Sequence, residues 1–421
     1  MSEGTNTIQI DDLAAPVLND VQRLALEWGE SHPTELTVAA VCDAAIKRTG
    51  LDNFGPGDFR ERLGVQLDEM NEDDERTGIG RMVMFGDCAR YAANRLLIHD
   101  VLRRHPEILD IPIVRPVIVV GLPRSGTTNL VNLLASDTRF RSIPLWESYE
   151  PVPNPREAAS GDGIDPRWTR CQQTWEAMQS AAPFVAAMHP MEPDHVHEEN
   201  ELQAPDFSNY NTEWVARAPK WRDYYLAHDQ APHYAYLKTV LQILQWYRPR
   251  DRWVLKSPQH LEQLGPLTAT FPDATFVVTH RDPVAVVQST ITMNCYGARN
   301  TYRATRPEWY RDYWTERIGL LLDASLRDRH LLPANRTVDV FFHEYMADEI
   351  GTLQRVYDCA GIEFNNQARS EISAYQAAHP RTRGGQVVYN LRGDFNVTPQ
   401  EVRARFGAYF EHFDNVRIEV Q

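Results

Sequence analysis

The segment VIVVGLPRSGTTNLVNLLAS, residues 117–136, constrains the fold more strongly than any other part of the sequence. Its β-branched start predicts a short strand, its Gly/Pro turn predicts a loop, and its leucines recur at helical spacing. Three later segments repeat this order of strand, loop and helix: RWVLKSPQHLEQLGPL, ATFVVTHRDPVAVVQSTITM and TVDVFFHEYMADEIGTLQRVYDCAG. Strands that alternate with helices predict an α/β fold in which helices cover both faces of a central parallel sheet.

The first 110 residues lack this alternation. We predict a polar tail over residues 1–12, and helices from there to about residue 105. Apolar residues recur at helical spacing near the start, at Val17, Val21, Leu24 and Trp28. Three prolines in HPEILDIPIVRP then interrupt the pattern. We therefore predict an N-terminal helical region at residues 1–110 and an α/β domain at residues 111–421.

Composition excludes several classes of protein. The formal net charge of −15 argues against an overall nucleic-acid binder, which would be basic. No apolar run approaches the roughly 18 residues of a membrane span, and the N-terminus lacks the pattern of a secretory signal. The cysteines are odd in number and scattered, which predicts reduced thiols and a cytoplasmic protein. They are Cys42, Cys88, Cys171, Cys295 and Cys359.

The loop GLPRSGTT, residues 121–128, has the composition of an anion site. It lies where a strand ends and a helix begins, so backbone N–H groups can point at one phosphate. Gly121 and Gly126 allow the tight turn, and Thr127 and Thr128 can donate hydroxyl hydrogen bonds. The residues predicted to contact the anion are Pro123, Arg124, Ser125, Gly126, Thr127 and Thr128.

The loop departs from the pattern of nucleoside triphosphatases at one position. Thr127 stands where those proteins carry the lysine that serves the β- and γ-phosphates. This absence argues against ATP or GTP as donor. The cation lies inside the loop instead, at Arg124, which suits a donor with one 5′-phosphate and a sulfuryl group.

A second anion site is predicted in VVTHRDPVAVVQS. Asp282 is a good N-cap, and Pro283 suits the first position of a helix. Ser289 follows Asp282 by about two helical turns and returns to the same face. Arg281 and Ser289 can therefore meet one phosphate near the start of this helix.

Together these segments resemble the sulfotransferase superfamily, and most closely the branch with bacterial and tyrosylprotein sulfotransferases. PRSGTT is similar to its 5′-phosphosulfate loop, and RDPVAVVQS to its 3′-phosphate segment. The resemblance extends over residues 115–415. It implies a P-loop NTPase-like three-layer sandwich. It also implies sulfuryl transfer from 3′-phosphoadenosine 5′-phosphosulfate (PAPS) to a hydroxyl, which leaves adenosine 3′,5′-bisphosphate as product.

The resemblance also implies residue roles. Residues 123–128 would bind the 5′-phosphosulfate, and Arg281 with Ser289 the 3′-phosphate. VLKSPQH is similar to the strand that carries a catalytic lysine, which makes Lys256 the candidate. YNLRGDFNVTPQEV is similar to a segment that closes over the donor, where Arg392 is the candidate.

Cations are the catalysts that this chemistry needs. Charge accumulates on the leaving phosphate oxygen, and Arg124 and Lys256 can stabilise it without a metal. The segment MHPMEPDHVHEENEL is rich in His and Glu but matches no zinc motif. We interpret it as a polar loop near the acceptor pocket.

Two residues compete for the role of the base that accepts the acceptor's proton. A helix over about residues 127–137 carries the chain away from the loop. A strand over about residues 140–144 would return it and bring Glu147 to the same sheet edge. The alternative base is His260, four residues after Lys256. The sequence favours Glu147 over His260.

The acceptor stays open between a small molecule and a lipid with a hydroxyl group, and a homodimer is also left open. Two other functions compete with sulfuryl transfer. A P-loop kinase-like phosphotransferase would depend on Mg²⁺. A non-catalytic nucleotide-binding scaffold would bind PAPS without turnover.

Overall fold

Seven strands run through the residues that the computed structural model describes, which are 7–157, 163–380 and 384–421. Five of these strands form one parallel sheet in the order β3-β4-β2-β5-β6, and β1 pairs with β7 in parallel. The strands are β1 Thr7–Gln9, β2 Val117–Gly121, β3 Phe140–Arg141, β4 Arg252–Lys256, β5 Thr275–His280, β6 Thr337–Phe341 and β7 Gln386–Val388.

Helices precede the sheet and connect its strands. The N-terminal helices are α1 Asp20–Ser31, α2 Val38–Thr49, α3 Phe59–Glu72 and α4 Gly78–Arg104. Between β2 and β5 lie α5 Thr127–Ala135, α6 Leu145–Tyr149, α7 Pro166–Ala181, α8 Val185–Met188, α9 Thr212–Val215, α10 Pro219–Ala227, α11 Ala231–Tyr247 and α12 Leu264–Thr270. The later helices are α13 Pro283–Thr301, α14 Pro307–Asp328, α15 Phe342–Ala347, α16 Glu349–Ala360, α17 Asn366–Ala378, α18 Leu391–Phe395, α19 Pro399–Arg403 and α20 Gly407–His412.

All residues of strand β2 are buried. Since successive side chains along a strand point to opposite sides of the sheet, both faces of the sheet are covered at this strand. Val117 and Val119 join a core that includes residues of α5, α16 and α17. Ile118 and Val120 join a second core with residues of α11, α12, α13 and α14. Two helical layers therefore enclose the sheet, and the predicted three-layer α/β sandwich is confirmed.

Parallel pairing aligns the carboxyl ends of three neighbouring strands. Val119 of β2 lies opposite Lys256 of β4, and Gly121 lies opposite Thr279 of β5. A Cβ on Gly121 would lie 1.9 Å from Oγ1 of Thr279, so this close approach requires glycine. The loops that follow β2, β4 and β5 consequently lie side by side at one edge of the sheet.

The N-terminal helices form a core of their own, which confirms the predicted helical extension. Residues of α2, α3 and α4, such as Phe59 and Cys88, pack there with Phe207 and Trp221 from the middle of the chain. Helix α4 also reaches the main core through Ile98. The proposed division of the chain at residue 110 stays a prediction.

One local prediction for the N-terminus was wrong. Residues Thr7–Gln9, predicted as part of a polar tail, form β1, while residues 1–6 lie outside the described ranges. The stripe with Leu24 and Trp28 lies on a helix, but these side chains are 65% and 49% exposed. Helix α1 packs through its other face, because Gly29 lets its backbone approach Ile79 closely.

None of the helices in the described ranges is long and apolar enough to cross a membrane.

Candidate active site

The loop between β2 and α5 contains two residues with a positive φ, a backbone conformation that residues other than glycine rarely adopt. Arg124 has a φ of 62°, and Gly126 has a φ of 86° at the N-cap of α5. A positive φ costs about 1–3 kcal/mol for a residue other than glycine, and such strain concentrates at functional sites. The loop thus directs the Arg124 side chain at the expense of local stability.

Four of the six predicted loop residues line a cavity beside the sheet edge, namely Pro123, Arg124, Thr127 and Thr128. Ser125 points the other way, because its hydroxyl donates to the carbonyl of Leu122 at 2.6 Å and lies 2.8 Å from the Thr279 hydroxyl. Its side chain therefore fixes the loop to β5 and does not face the cavity.

The two predicted anion sites meet in the structure. Nε of Arg124 donates to the Ser289 hydroxyl at 3.0 Å, and Nη1 of Arg281 donates to the Arg124 carbonyl at 2.6 Å. Asp282 caps α13 as predicted, accepting from the backbone N–H of Val284 at 3.0 Å. The start of α13 and the loop after β2 therefore form one continuous surface.

Two residues that the sequence did not indicate contact this surface. The Tyr389 hydroxyl lies 2.9 Å from the Ser289 hydroxyl. Both carboxylate oxygens of Glu419 accept from Arg281, at 2.9 Å from Nε and 2.7 Å from Nη2. Tyr389 belongs to the segment YNLRG that carried the resemblance, so its position was a usable signal. Glu419 had none.

Lys256 ends β4 with its side chain only 2% exposed. Its ammonium forms an ion pair with Oε1 of Glu198 and lies 3.4 Å from Oγ1 of Thr128. Glu198 lines the cavity, and 16% of its side chain is exposed. A buried cation and a reachable carboxylate thus lie together beside the loop.

His260 lies behind this pair and not in front of it. Its Nε2 is 2.6 Å from Oε1 of Glu199, and its Nδ1 is 2.8 Å from the Tyr234 hydroxyl. The other oxygen of Glu199 accepts from the backbone N–H of Lys256 at 2.6 Å. Glu199 and His260 are 0% and 1% exposed, so they fix the end of β4 from within the protein.

The geometric prediction for Glu147 was wrong. The strand after α5 comprises only Phe140–Arg141, and Pro144 pairs with Val196 in an isolated antiparallel bridge before helix α6 begins. Oε2 of Glu147 is 2.7 Å from both Arg141 and Arg248. Arg248 precedes β4, so this carboxylate faces the amino ends of the strands, away from Lys256.

Arg392 is exposed on α18, and within the described ranges no hydrogen bond or ion pair joins it to residues 121–128. Its predicted role in donor binding stays a prediction.

Three imidazoles surround the cations at this edge. Burial, with the positive charges of Arg124 and Lys256, lowers the pKa of His189 to about 3. Burial and Lys256 lower the pKa of His195 to about 4, and the pKa of His197 also lies far below its usual range. These rings are neutral at pH 7 and can accept a hydrogen bond from a hydroxyl.

Across the described ranges, no group of three or more His, Cys, Asp or Glu residues is arranged to hold a metal ion.

The cavity has a volume of about 380 Å³ and extends from the loop towards the N-terminal helices. Its near end includes Thr128, His197 and Glu198, and its far walls include Met84 of α4 and Met293 of α13. Trp214 also lines the cavity, whereas Trp221 and Tyr225 pack in the N-terminal core. A cavity of this size accommodates a small organic molecule.

The fold and this edge define a class of protein: an α/β protein that collects cations around an anion loop at the carboxyl ends of parallel strands. A model of the sulfotransferase family matches residues 116–366, which is more than half of the chain. The chain belongs to this family. It is an enzyme that transfers a sulfuryl group, as the sequence predicted.

Two solved structures resemble the protein over most of its length. Sulfotransferase STF9 from Mycobacterium avium has a TM-score of 0.81 and 26% identity, covering 92% of this chain and 99% of that protein. Sulfotransferase STF1 from Mycobacterium tuberculosis H37Rv has a TM-score of 0.77 and 26% identity, covering 88% and 98%.

Curated relatives include the omega-hydroxy-beta-dihydromenaquinone-9 sulfotransferase Stf3 of Mycobacterium bovis and that of Mycobacterium tuberculosis. Each is 23% identical over 301 residues, which covers 69% of this chain and 75% of the relative.

The neutral imidazoles predict a pH dependence of stability. A histidine whose folded pKa is depressed takes up its proton more readily when unfolded, so stability falls as pH drops below about 6.5. The loss continues down to the folded pKa, at about 1.4 kcal/mol per pH unit for each ring. Urea unfolding at several pH values should show that the free energy of unfolding depends less steeply on pH in the double variant His189→Gln/His195→Gln than in the wild type. Equal slopes in the two proteins would contradict the assignment of neutral rings.

Proposed function

We propose that the protein transfers the sulfuryl group of PAPS to the hydroxyl of a lipid-like acceptor and releases adenosine 3′,5′-bisphosphate. One observation carries the proposal: Arg124, Lys256 and Arg281 converge at one sheet edge, where a largely apolar cavity begins. The protein carries a formal net charge of −15, so this local concentration of cations opposes its overall charge and favours an anionic ligand.

The donor would bind across the loop and the start of α13. Backbone N–H groups at the start of α5, with Thr127 and Thr128, are suited to the 5′-phosphosulfate. Arg281 and Ser289 are suited to the 3′-phosphate, because a guanidinium can bind a phosphate through two parallel hydrogen bonds. Tyr389 contacts Ser289 and is a further candidate for this subsite.

The proposed reaction is an in-line transfer without a metal. The acceptor oxygen forms a bond to sulfur as the bond between sulfur and the bridging phosphate oxygen breaks. Negative charge accumulates on that oxygen, and the ammonium of Lys256 and the guanidinium of Arg124 stabilise it. Thr128 lies 3.4 Å from the Lys256 ammonium and would orient it.

Glu198 replaces Glu147 and His260 as the proposed base. Its carboxylate lines the cavity beside Lys256 and can accept the proton of the acceptor hydroxyl. The carboxylate then releases this proton to solvent. Glu147 is held by two arginines on the far side, and His260 is held by Glu199 and Tyr234. We propose that His260 acts as a positioning residue for β4.

The acceptor class rests on the cavity and on one relative. The name of Stf3 says that it acts on omega-hydroxy-beta-dihydromenaquinone-9, a lipid with a hydroxyl group. The walls contributed here by Val83, Met84, Val185 and Met293 suit an apolar molecule of similar character.

We also propose a cellular location, a domain division and an oligomeric state for the protein. All five cysteines are free, and burial raises the pKa of the Cys88 thiol to about 12. Inert, reduced thiols support a cytoplasmic location. A separate domain at residues 111–421 and a homodimer stay proposals.

Donor binding should respond in opposite directions to two substitutions. Arg281→Ala removes charge-assisted hydrogen bonds worth about 1.5–3 kcal/mol. Calorimetry should therefore show adenosine 3′,5′-bisphosphate binding weakened by about ten- to hundredfold. Glu419→Gln should tighten it, because a carboxylate that competes for Arg281 is lost.

The control for Glu419→Gln is Glu30→Gln, which alters another arginine-bound glutamate, at Arg303 and far from the loop. AMP has no 3′-phosphate, so its affinity should change little in Arg281→Ala. If Arg281→Ala weakened AMP binding to the same extent, the assignment of the 3′-phosphate to Arg281 would be contradicted.

Turnover should identify the base. Glu198→Gln should lower kcat by about 10²–10⁴ while the affinity for adenosine 3′,5′-bisphosphate changes little. Glu147→Gln is the matched control, since it also replaces a carboxylate in an ion pair with an amide. It should keep kcat in its folded fraction, measured by circular dichroism. If Glu147→Gln loses turnover and Glu198→Gln keeps it, the base is Glu147.

A further inference from the structure

The far part of the cavity lies between two long helices, α4 and α13. Helix α4 contributes Val83 and Met84, and helix α13 contributes Met293 and Ala298. The catalytic groups Thr128 and Glu198 lie at the other end. A molecule that fills the cavity would therefore extend from the sheet edge to the N-terminal helices.

Three polar residues of the cavity wall, Arg90, Glu201 and Asn211, are already paired with each other. Nη1 of Arg90 donates to Oε1 of Glu201 at 2.8 Å, and the amide of Asn211 donates to Oε2 at 2.7 Å. The Arg90 guanidinium also lies 4.5 Å from the Tyr91 ring centre and 4.4 Å from that of Tyr149. Because these groups satisfy one another, they place no strong demand for a polar partner on a ligand.

Gly297 lies within α13, where neighbouring side chains are tightly packed. Cys295, Tyr296 and Ala298 are 0%, 1% and 2% exposed. A Cβ added at Gly297 would nevertheless meet no atom within 4 Å. Gly297 is half-buried and lines the cavity, so this free space belongs to the cavity.

Glycine within a helix has a cost of about 1 kcal/mol relative to alanine. No close neighbour requires glycine at position 297, and its φ is not positive. The packing of α13 therefore does not explain the residue. The space that it leaves open between α13 and α4 does.

We propose that the acceptor is an elongated alcohol whose apolar chain runs between α4 and α13 past Gly297, and that the missing side chain at 297 sets the chain length accepted. This inference rests on the proposed function, with the hydroxyl at Glu198. It gives the N-terminal helices a direct role, since α4 forms one wall of the channel. Gly297 acts on acceptor choice and has no part in the chemical step.

The test compares two alcohols, n-butanol and n-dodecanol, in the full-length wild-type protein and in Gly297→Leu. Each buried methylene should raise kcat/KM by about three- to fourfold, so the wild type should prefer n-dodecanol. Gly297→Leu should lower kcat/KM for n-dodecanol by about tenfold or more. It should leave n-butanol turnover and the affinity for adenosine 3′,5′-bisphosphate unchanged.

The matched control is Gly86→Leu. Gly86 is also within a helix, α4, and a Cβ there also meets no atom within 4 Å, but the residue faces solvent. This variant should behave as the wild type with both alcohols. A wild type without preference for n-dodecanol, or equal losses for both alcohols in Gly297→Leu, would overturn the inference.

A binding measurement separates this inference from the proposed function. Trp214 lines the cavity, so a brominated n-dodecanol should quench part of the tryptophan fluorescence of the wild type and less in Gly297→Leu. Quenching without turnover of either alcohol would retain the channel and reject the hydroxyl-transfer proposal. Equal quenching in the wild type and Gly297→Leu would reject the channel.

Discussion

The parallel pairing of β2 with β4 and β5 is the constraint on which the rest of the structure depends. It aligns the carboxyl ends of these strands, so the anion loop, Lys256 and Arg281 meet although the chain separates them widely. Glycine at position 121 leaves room for the Thr279 side chain where β2 and β5 end. Helix starts and cations then face the same side, which is the arrangement that a group-transfer reaction at phosphate and sulfate requires.

Electrostatics at this edge follow from burial. Lys256 is nearly enclosed, and an unpaired ammonium there would be costly, so the carboxylate of Glu198 compensates it. Behind it, Glu199 joins His260 to the backbone of β4 and holds the strand end. Burial, together with the same cations, depresses the pKa of the nearby histidines, so the proposed chemistry takes place among neutral rings.

Features encoded locally could be predicted from the sequence, and features that depend on distant contacts could not. Asp282 and Pro283 define a helix start within a few residues, and the structure has it there. Glu147 was misplaced because its position depends on ion pairs with Arg141 and with the distant Arg248, which strand and helix lengths do not indicate. The partnership of Lys256 with Glu198 spans separate segments, and Glu419 reaches Arg281 from the end of the chain, so no local pattern indicated either contact.

The central claim is that this edge transfers a sulfuryl group from PAPS without a metal. The most direct measurement incubates the protein with PAPS labelled in its sulfuryl group and n-dodecanol in excess EDTA, and follows both products by chromatography. We expect labelled dodecyl sulfate and adenosine 3′,5′-bisphosphate in equal amounts. A reaction that stops in EDTA and returns with Mg²⁺, or label that never leaves PAPS with any hydroxyl acceptor, would contradict it.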